Sequence, residues 1–256
     1  MKFVDTHTHI YWDNFENDID EVVKRAIDNG ITKMYCPNLD LLTVEALHNL
    51  NKKYPENCFM LMGLHPESVK DDFENQLVEI DRLLQTGKYY GIGEVGIDLY
   101  WDKTFLEQQI EAFTEQVRFA KKYKLPVIIH AREAFDEVFN VIDKEIDSSL
   151  KGIFHCFTGN IEQANHIIEY KNFKMGIGGV VTYKNSGLAQ TIENVDLKHI
   201  VLETDAPFLT PVPKRGKRNE PSYLMYIAKF LADLKKVDLS EIAEQTTKNA
   251  EFVFGG

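Results

Sequence analysis

Two histidines, His7 and His9, stand two residues apart just past a short apolar run that reads as a strand. Side chains at i and i+2 of a strand share one face, so both imidazoles can aim at one point. Imidazole suits zinc, iron, nickel or copper as a ligand. The pair alone is a weak signal, because two half-buried or solvated loop histidines would look the same. Asp5 is expected on the same face, one step deeper, where it can hydrogen-bond or polarise the pair. The pattern recurs elsewhere: Glu94 in "GIGEVG", His130 closing "VIIH", His155 in "GIFHC" and Asp205 closing "VLETD". Each is a ligand-type residue at the far end of an apolar run. Packed merely as core, such groups would repel one another or lose hydration unpaired, and a cation supplies the missing partner. His65, ending another run in "GLHP", is expected at the same opening as a substrate contact or a support to the ligands. Cys156 is expected on the face opposite His155 and is read as packing. His48 and His166 fall in helical patterns and are expected in solvent, while His199 opens the last run, at the wrong end.

Convergence requires a fold that brings strand ends together. The runs are "KFVDTH", "KMYCP", "CFMLMGLH", "YYGIGEVGI", "PVIIHA", "GIFHCF", "FKMGIGG" and "HIVLETD". Each is short and rich in β-branched or aromatic residues. Helical patterns lie between them. Ile19, Val22, Val23, Ala26 and Ile27 share a face, with Gly30 at the close. A second stripe runs from Leu106 through Ile110, Phe113 and Val117 to Ala120, and further helices are expected at 161–170, 223–234 and 240–252. Eight strands, most followed by a helix, predict an α/β chain folded as a single (β/α)8 TIM-type barrel, whose strand ends share one mouth. An open doubly wound sheet would need a glycine-rich phosphate turn after an early strand, and "DTHTHI" has none. No linker, low-complexity tract or fixed-period repeat divides residues 1–256, so one domain is expected.

The 256 residues suit one such barrel, and 44% hydrophobic residues can fill its core. A net charge of −11 argues against a basic nucleic-acid coat protein, though not against an enzyme with a local basic patch. Three widely spaced cysteines give neither a disulfide framework nor a zinc-finger pattern. The opening residues lack an apolar leader, and no apolar stretch reaches membrane-spanning length, so a cytoplasmic protein away from membranes is expected. Nothing in the pattern demands an obligate protein partner.

The stretches "FVDTHTH", "GLHP", "GIGEVGIDLY", "PVIIHAREA", "FHCFTG", "LETDAPFLTP" and "RGKRNEP", in order over residues 3–221, resemble the TatD family of metal-dependent deoxyribonucleases, among the amidohydrolase-like barrels. The resemblance implies a metal-dependent hydrolase with two divalent cations, drawn from Mg, Mn, Zn, Ni or Fe. By position, His7, His9 and Asp205 would bind one cation, Glu94 would bridge, and His130 and His155 would bind the second. The implied activity is cleavage of phosphodiester bonds in single-stranded DNA or RNA, with 3'-5' trimming as one form, by water activated between the metals. Asp205 is the residue expected to orient that water and take its proton, supported by Glu203 on the same strand face.

Substrate contacts are expected from the loops. "PKRGKRNEP" places Lys214, Arg215, Lys217 and Arg218 after the eighth run, where barrels frequently bind phosphate. Arg132, two residues past His130, is expected to face the same cavity, and Tyr100, Trp101, Phe157 and Phe208 are candidate base-stacking rings. Two other readings stay open. The same barrel can hydrolyse an amide, lactone or aminoacyl ester, since fold and ligands do not fix the bond. A barrel that binds nucleic acid without turnover is the other.

Overall fold

The computed structural model describes residues 1–255. Among them eight parallel strands alternate with helices. The strands are β1 (Phe3–Asp5), β2 (Ile31–Pro37), β3 (Cys58–Leu61), β4 (Ile92–Asp98), β5 (Val127–Arg132), β6 (Gly152–Phe154), β7 (Phe173–Ile177) and β8 (Ile200–Leu202). The helices that follow them in turn are α1 (Ile19–Asp28), α2 (Val44–Lys53), α3 (Phe73–Thr86), α4 (Leu106–Tyr123), α5 (Phe135–Glu145), α6 (Ile161–Glu169), α7 (Leu188–Glu193) and α8 (Leu224–Lys235), with α9 (Leu239–Phe254) last. Strand neighbours run in chain order, β1-β2-β3 and β4 through β8. Backbone bonds cross both gaps: Met62 N–H donates to Gly91 O and Gly93 N–H to Met62 O, each at 3.0 Å, and Thr6 N–H donates to Leu202 O at 3.0 Å. The fold is the (β/α)8 barrel, and a sequential strand order excludes the doubly wound sheet.

The local reasons are ordinary chemistry. α1 buries Val22, Val23 and Ala26 and ends at Gly30, whose φ of +86° is the left-handed stop that glycine adopts without strain. α6 starts in a reciprocal Asn160–Gln163 capping box. β4 is buried along its whole length, as a strand covered on both sides must be.

Two apolar layers result. The larger lies between strands and helices. A smaller one takes one residue from each of six strands: Val4, Tyr35, Leu61, Ile128, Ile153 and Val201, joined by Ala250 and Val253 of α9. Helix α9 lies against the starting ends of β1 and β8, with Thr247 Oγ1 donating to Lys2 O and Asn249 Nδ2 to Ile200 O. Ile128 and Ile153 each sit two residues before a candidate ligand, His130 and His155. The candidate ligands therefore stand above this apolar floor, at the opposite end of the barrel from α9. Removing either isoleucine side chain should cost about 2–5 kcal/mol. No helix of the described residues is long and apolar enough to cross a membrane.

Candidate metal centre

Glu94 is the hub. Its Oε2 lies 3.0 Å from His7 Nε2 and 3.4 Å from His9 Nε2. Its Oε1 lies 2.8 Å from His130 Nδ1, 2.9 Å from His155 Nε2 and 3.4 Å from His65 Nε2. One buried carboxylate thus faces two histidine sets, one per oxygen. Asp205 Oδ1 joins the first set, 3.7 Å from His7 Nε2 and 3.6 Å from His9 Nε2. His7, His9 and Glu94 are almost fully enclosed, while His65, His130 and Asp205 are slightly open and mark the mouth.

Strand alternation explains only part of this convergence. The β1 ladder ends at Asp5, yet Thr8 N–H turns to Tyr35 O of β2 and His9 N–H to Ala206 O beyond β8, so His7 and His9 keep a common direction. Asp205 lies three residues past β8 with a left-handed φ of 55°, its N–H bonded to His7 O at 2.9 Å. Asp5 does not reach the rings as expected. Its carboxylate accepts from Thr204 N–H, Thr204 Oγ1 and His7 N–H, joining β1 to the segment after β8, and burial lifts its pKa to about 8.

Where a histidine's second nitrogen has a partner, that partner fixes the tautomer. His155 Nδ1 faces Glu203 Oε1 at 3.2 Å. Glu203 is wholly buried and also accepts from Cys156 N–H, and it fits because residue 176 is glycine: a Cβ there would lie 2.1 Å from Glu203 Oε2. Glu203 therefore braces His155, where a support to Asp205 was expected. Asp98 does the same for His130, its Oδ2 2.8 Å from Nε2. Sequence reasoning passed over Asp98, although it lies four residues past Glu94 on the same strand. Tyr11 was passed over too. Its hydroxyl donates to Pro37 O at 2.7 Å and faces His9 Nδ1 at 3.2 Å. His7 Nδ1 is buried with no hydrogen-bond partner among the described residues. His65 Nδ1 accepts from Glu67 N–H, which leaves the proton of the neutral ring on Nε2, directed at Glu94. His65 is thus a donor to the hub.

Charges follow. Burial opposes ionisation of Glu94, but His155, His7 and His65 outweigh it and hold its carboxyl well below the usual range. His7 and His155 stack at 3.7 Å between centroids. Burial and then His155 drive His7 far down, whereas His155, disfavoured by burial, is held well up by Glu94 and Glu203. Burial raises Asp205 to about 6. His7 and His9 point Nε2 at each other across 3.1 Å, and the donor atoms of His7, His9 and Glu94, and of His65, Glu94 and His130, each cluster within 4.8 Å. Converging imidazole nitrogens around a shared carboxylate fit a divalent cation of the zinc, manganese, iron or nickel kind.

The rim departs from expectation in places. Arg132 is exposed, its guanidinium 3.8 Å from the Tyr100 ring centroid and 5.6 Å from that of Trp101. Tyr100 N–H donates to Asp98 Oδ1, which ties this group to His130's partner. Arg215 lies 4.0 Å over the Tyr183 ring, and Lys217 is exposed. Trp12 packs between His9 and Phe208. Arg218, by contrast, pairs through both terminal nitrogens with Asp18 at 2.8 and 2.6 Å and covers the Phe15 ring. It fastens the loop after β8 to the segment before α1, and no free guanidinium remains for phosphate. Lys214 lies over Tyr223 and Tyr226 near the start of α8. Phe157 is buried against Phe135 and belongs to the core, not the mouth. Cys156 is not simply opposite His155, because β6 ends at Phe154 and Cys156 takes a left-handed φ of 46°. Burial, then Asp205, Glu203 and Glu94, push its thiol well up. Of the remaining histidines, His48 is half-buried with Nε2 2.8 Å from Tyr89 Oη, His166 pairs with Asp143, and His199 precedes β8 at the far end.

Comparison with known proteins finds metal-dependent hydrolases and a solved structure of the same fold. The family model described as TatD-related DNase matches residues 4–255. An uncharacterized metal-dependent hydrolase of Bacillus subtilis, YabD, is 37% identical over 251 residues, covering 98% of both chains. A 3'-5' ssDNA/RNA exonuclease TatD of Erwinia amylovora is 30% identical over 247 residues, covering 94% of this chain and 95% of its own. The crystal structure of YjjV, a TatD homologue of Escherichia coli, superposes with a TM-score of 0.93 at 28% identity, covering 99% of this chain and 98% of the other.

Proposed function

The chain belongs to the TatD-related DNase family of metal-dependent hydrolases, and from that membership we propose that it hydrolyses phosphodiester bonds of single-stranded nucleic acid at a centre of two divalent cations. The observation that carries this reading is Glu94, whose two oxygens face separate histidine sets. His7, His9 and Asp205 would hold one cation and His130 and His155 the other, with Glu94 between. The pair would supply an activated water and stabilise charge on the phosphate.

The chain's own groups do the rest. Asp205, next to both rings of the first set and open to the mouth, orients the water and accepts its proton. His65 keeps its Nε2 proton toward Glu94 Oε1 and so steadies the shared carboxylate at the edge of the site. Arg132 and Arg215, each stacked on an aromatic ring, present charge to flanking phosphates. Exposed Tyr100, Trp101 and Phe208 offer faces to unpaired bases, each worth about 1–3 kcal/mol. The Erwinia relative's name gives single-stranded DNA and RNA and 3'-5' polarity, and the same is proposed for this chain.

The test is digestion of end-labelled single-stranded DNA and RNA with metal analysis of the same sample. Two metal equivalents per chain and loss of shortening on chelation are expected. A protein that holds both metals, leaves oligonucleotides intact and opens an amide or lactone would overturn the proposal.

A further inference from the structure

We propose that the two ligand sets bind their cations with unequal affinity, the His130/His155 set filling first, and that Tyr11 governs the weaker set through His9. The inference rests on the two-cation reading above and adds an order of binding to it. The asymmetry lies behind the rings. Each histidine of the first-filled set has a carboxylate on its remote nitrogen: Asp98 Oδ2 at 2.8 Å from His130 Nε2 and Glu203 Oε1 at 3.2 Å from His155 Nδ1. An anionic acceptor makes the ring a stronger donor to a metal and holds its orientation.

The other set has no such backing. Among the described residues His7 Nδ1 is buried and meets no hydrogen-bond partner. His9 Nδ1 meets only a neutral phenol, and that phenol gives its own proton to Pro37 O at 2.7 Å. The Tyr11 oxygen is therefore an acceptor toward His9. It keeps the His9 proton on Nδ1 and leaves Nε2 bare toward Glu94 and Asp205. A phenol fixes the tautomer as a carboxylate would, but adds no charge. Asp205 contributes an anion directly to this set, yet at 3.6–3.7 Å from the two rings it sits more loosely than Glu94 does.

The test is calorimetric titration of the full chain, freed of metal by chelator, with Mn²⁺. Two steps are expected, with dissociation constants at least about tenfold apart. Asp98→Asn and Glu203→Gln should each weaken the tighter step by about 10–100-fold. Tyr11→Phe should weaken only the looser step. Two indistinguishable steps in the unsubstituted chain, a shift of the tight step in Tyr11→Phe, or no shift at all would each overturn the proposal. A second measurement needs no variant: ring ¹⁵N resonances should place the His9 proton on Nδ1, and a proton on Nε2 would refute the role given to Tyr11. Binding is read without substrate. A chain that binds two ions unequally but cleaves no phosphodiester keeps this inference and loses the nuclease.

Discussion

Asp205 stands in a backbone conformation that few side chains accept. At φ 55° it sits in the left-handed region, where Asp and Asn are several-fold enriched over other residues. Asp205→Asn should therefore fold and keep a ligand oxygen while losing the ability to accept a proton. At saturating metal, turnover should fall by about 10²–10⁴, the usual contribution of a positioned general base. Near-normal kcat with both cations bound would place the base elsewhere. At this scale the sequence was generous with candidate ligands and poor with their supports. His7, His9, Glu94, His130, His155 and Asp205 stood out as candidates because each lies at or near the end of an apolar run. Asp98 carried the same signal, a carboxylate on the face of Glu94, and was legible in principle. Tyr11 was not, because a tyrosine two residues past a histidine is ordinary core chemistry until its hydroxyl is seen against Pro37. Cys156 misled because alternation holds only while a strand continues, and β6 stops at Phe154.

The loop that leaves β8 divides its cations between two duties. Arg215 lies on Tyr183 with its charge exposed, whereas Arg218 is bound by Asp18 across 200 residues of chain. No spacing rule could separate them, since the partner of Arg218 is remote in sequence. Substitution should. Arg215→Ala is expected to weaken single-stranded DNA binding and to reduce the slope of log affinity on log salt by about 0.7 per lost phosphate contact. Arg218→Ala should leave that slope alone and lower the thermal midpoint, because Asp18 loses its bidentate partner and Phe15 its cover. The reverse pattern would reassign the phosphate contact to Arg218. Elements themselves were well marked: all eight strands fall within the apolar runs or within a few residues of them. α8 runs one residue beyond its predicted end, because Lys236 turns left-handed where no glycine announced a stop, and α9 runs two residues further, to Phe254 just before Gly255.

For the molecule as a whole, acid should loosen the ring of helices before it reaches the floor of the barrel. Glu145 at the end of α5 pairs with Lys121 and Arg118 of α4, and Lys121 first, with Arg118 after it, holds its carboxyl below the usual glutamate range. A depressed folded-state pKa stabilises above the unfolded value of about 4.3, and that stabilisation is lost as pH falls through the folded value. Glu145→Gln should therefore cost about 1 kcal/mol or less at pH 7 in urea unfolding, shrinking toward nothing below pH ~4. A gap that persists in acid would mean the glutamate acts by packing and not by charge. The barrel class was readable from length, alternation and the common polarity of run ends. How the ring closes was not, because β1 and β8 share no regular ladder and meet through a few bonds such as Thr6 to Leu202 and Asp5 to Thr204.

That closure has a temporal side. Asp205, whose N–H grips His7 O, leaves the ribosome nearly two hundred residues after His7 and His9. Glu94 is made partway through that interval, but until its end the early imidazoles lack the Asp205 carboxylate. The nascent chain cannot assemble the pocket until β8 has been made, so complete metal capture would report that synthesis has passed the last strand.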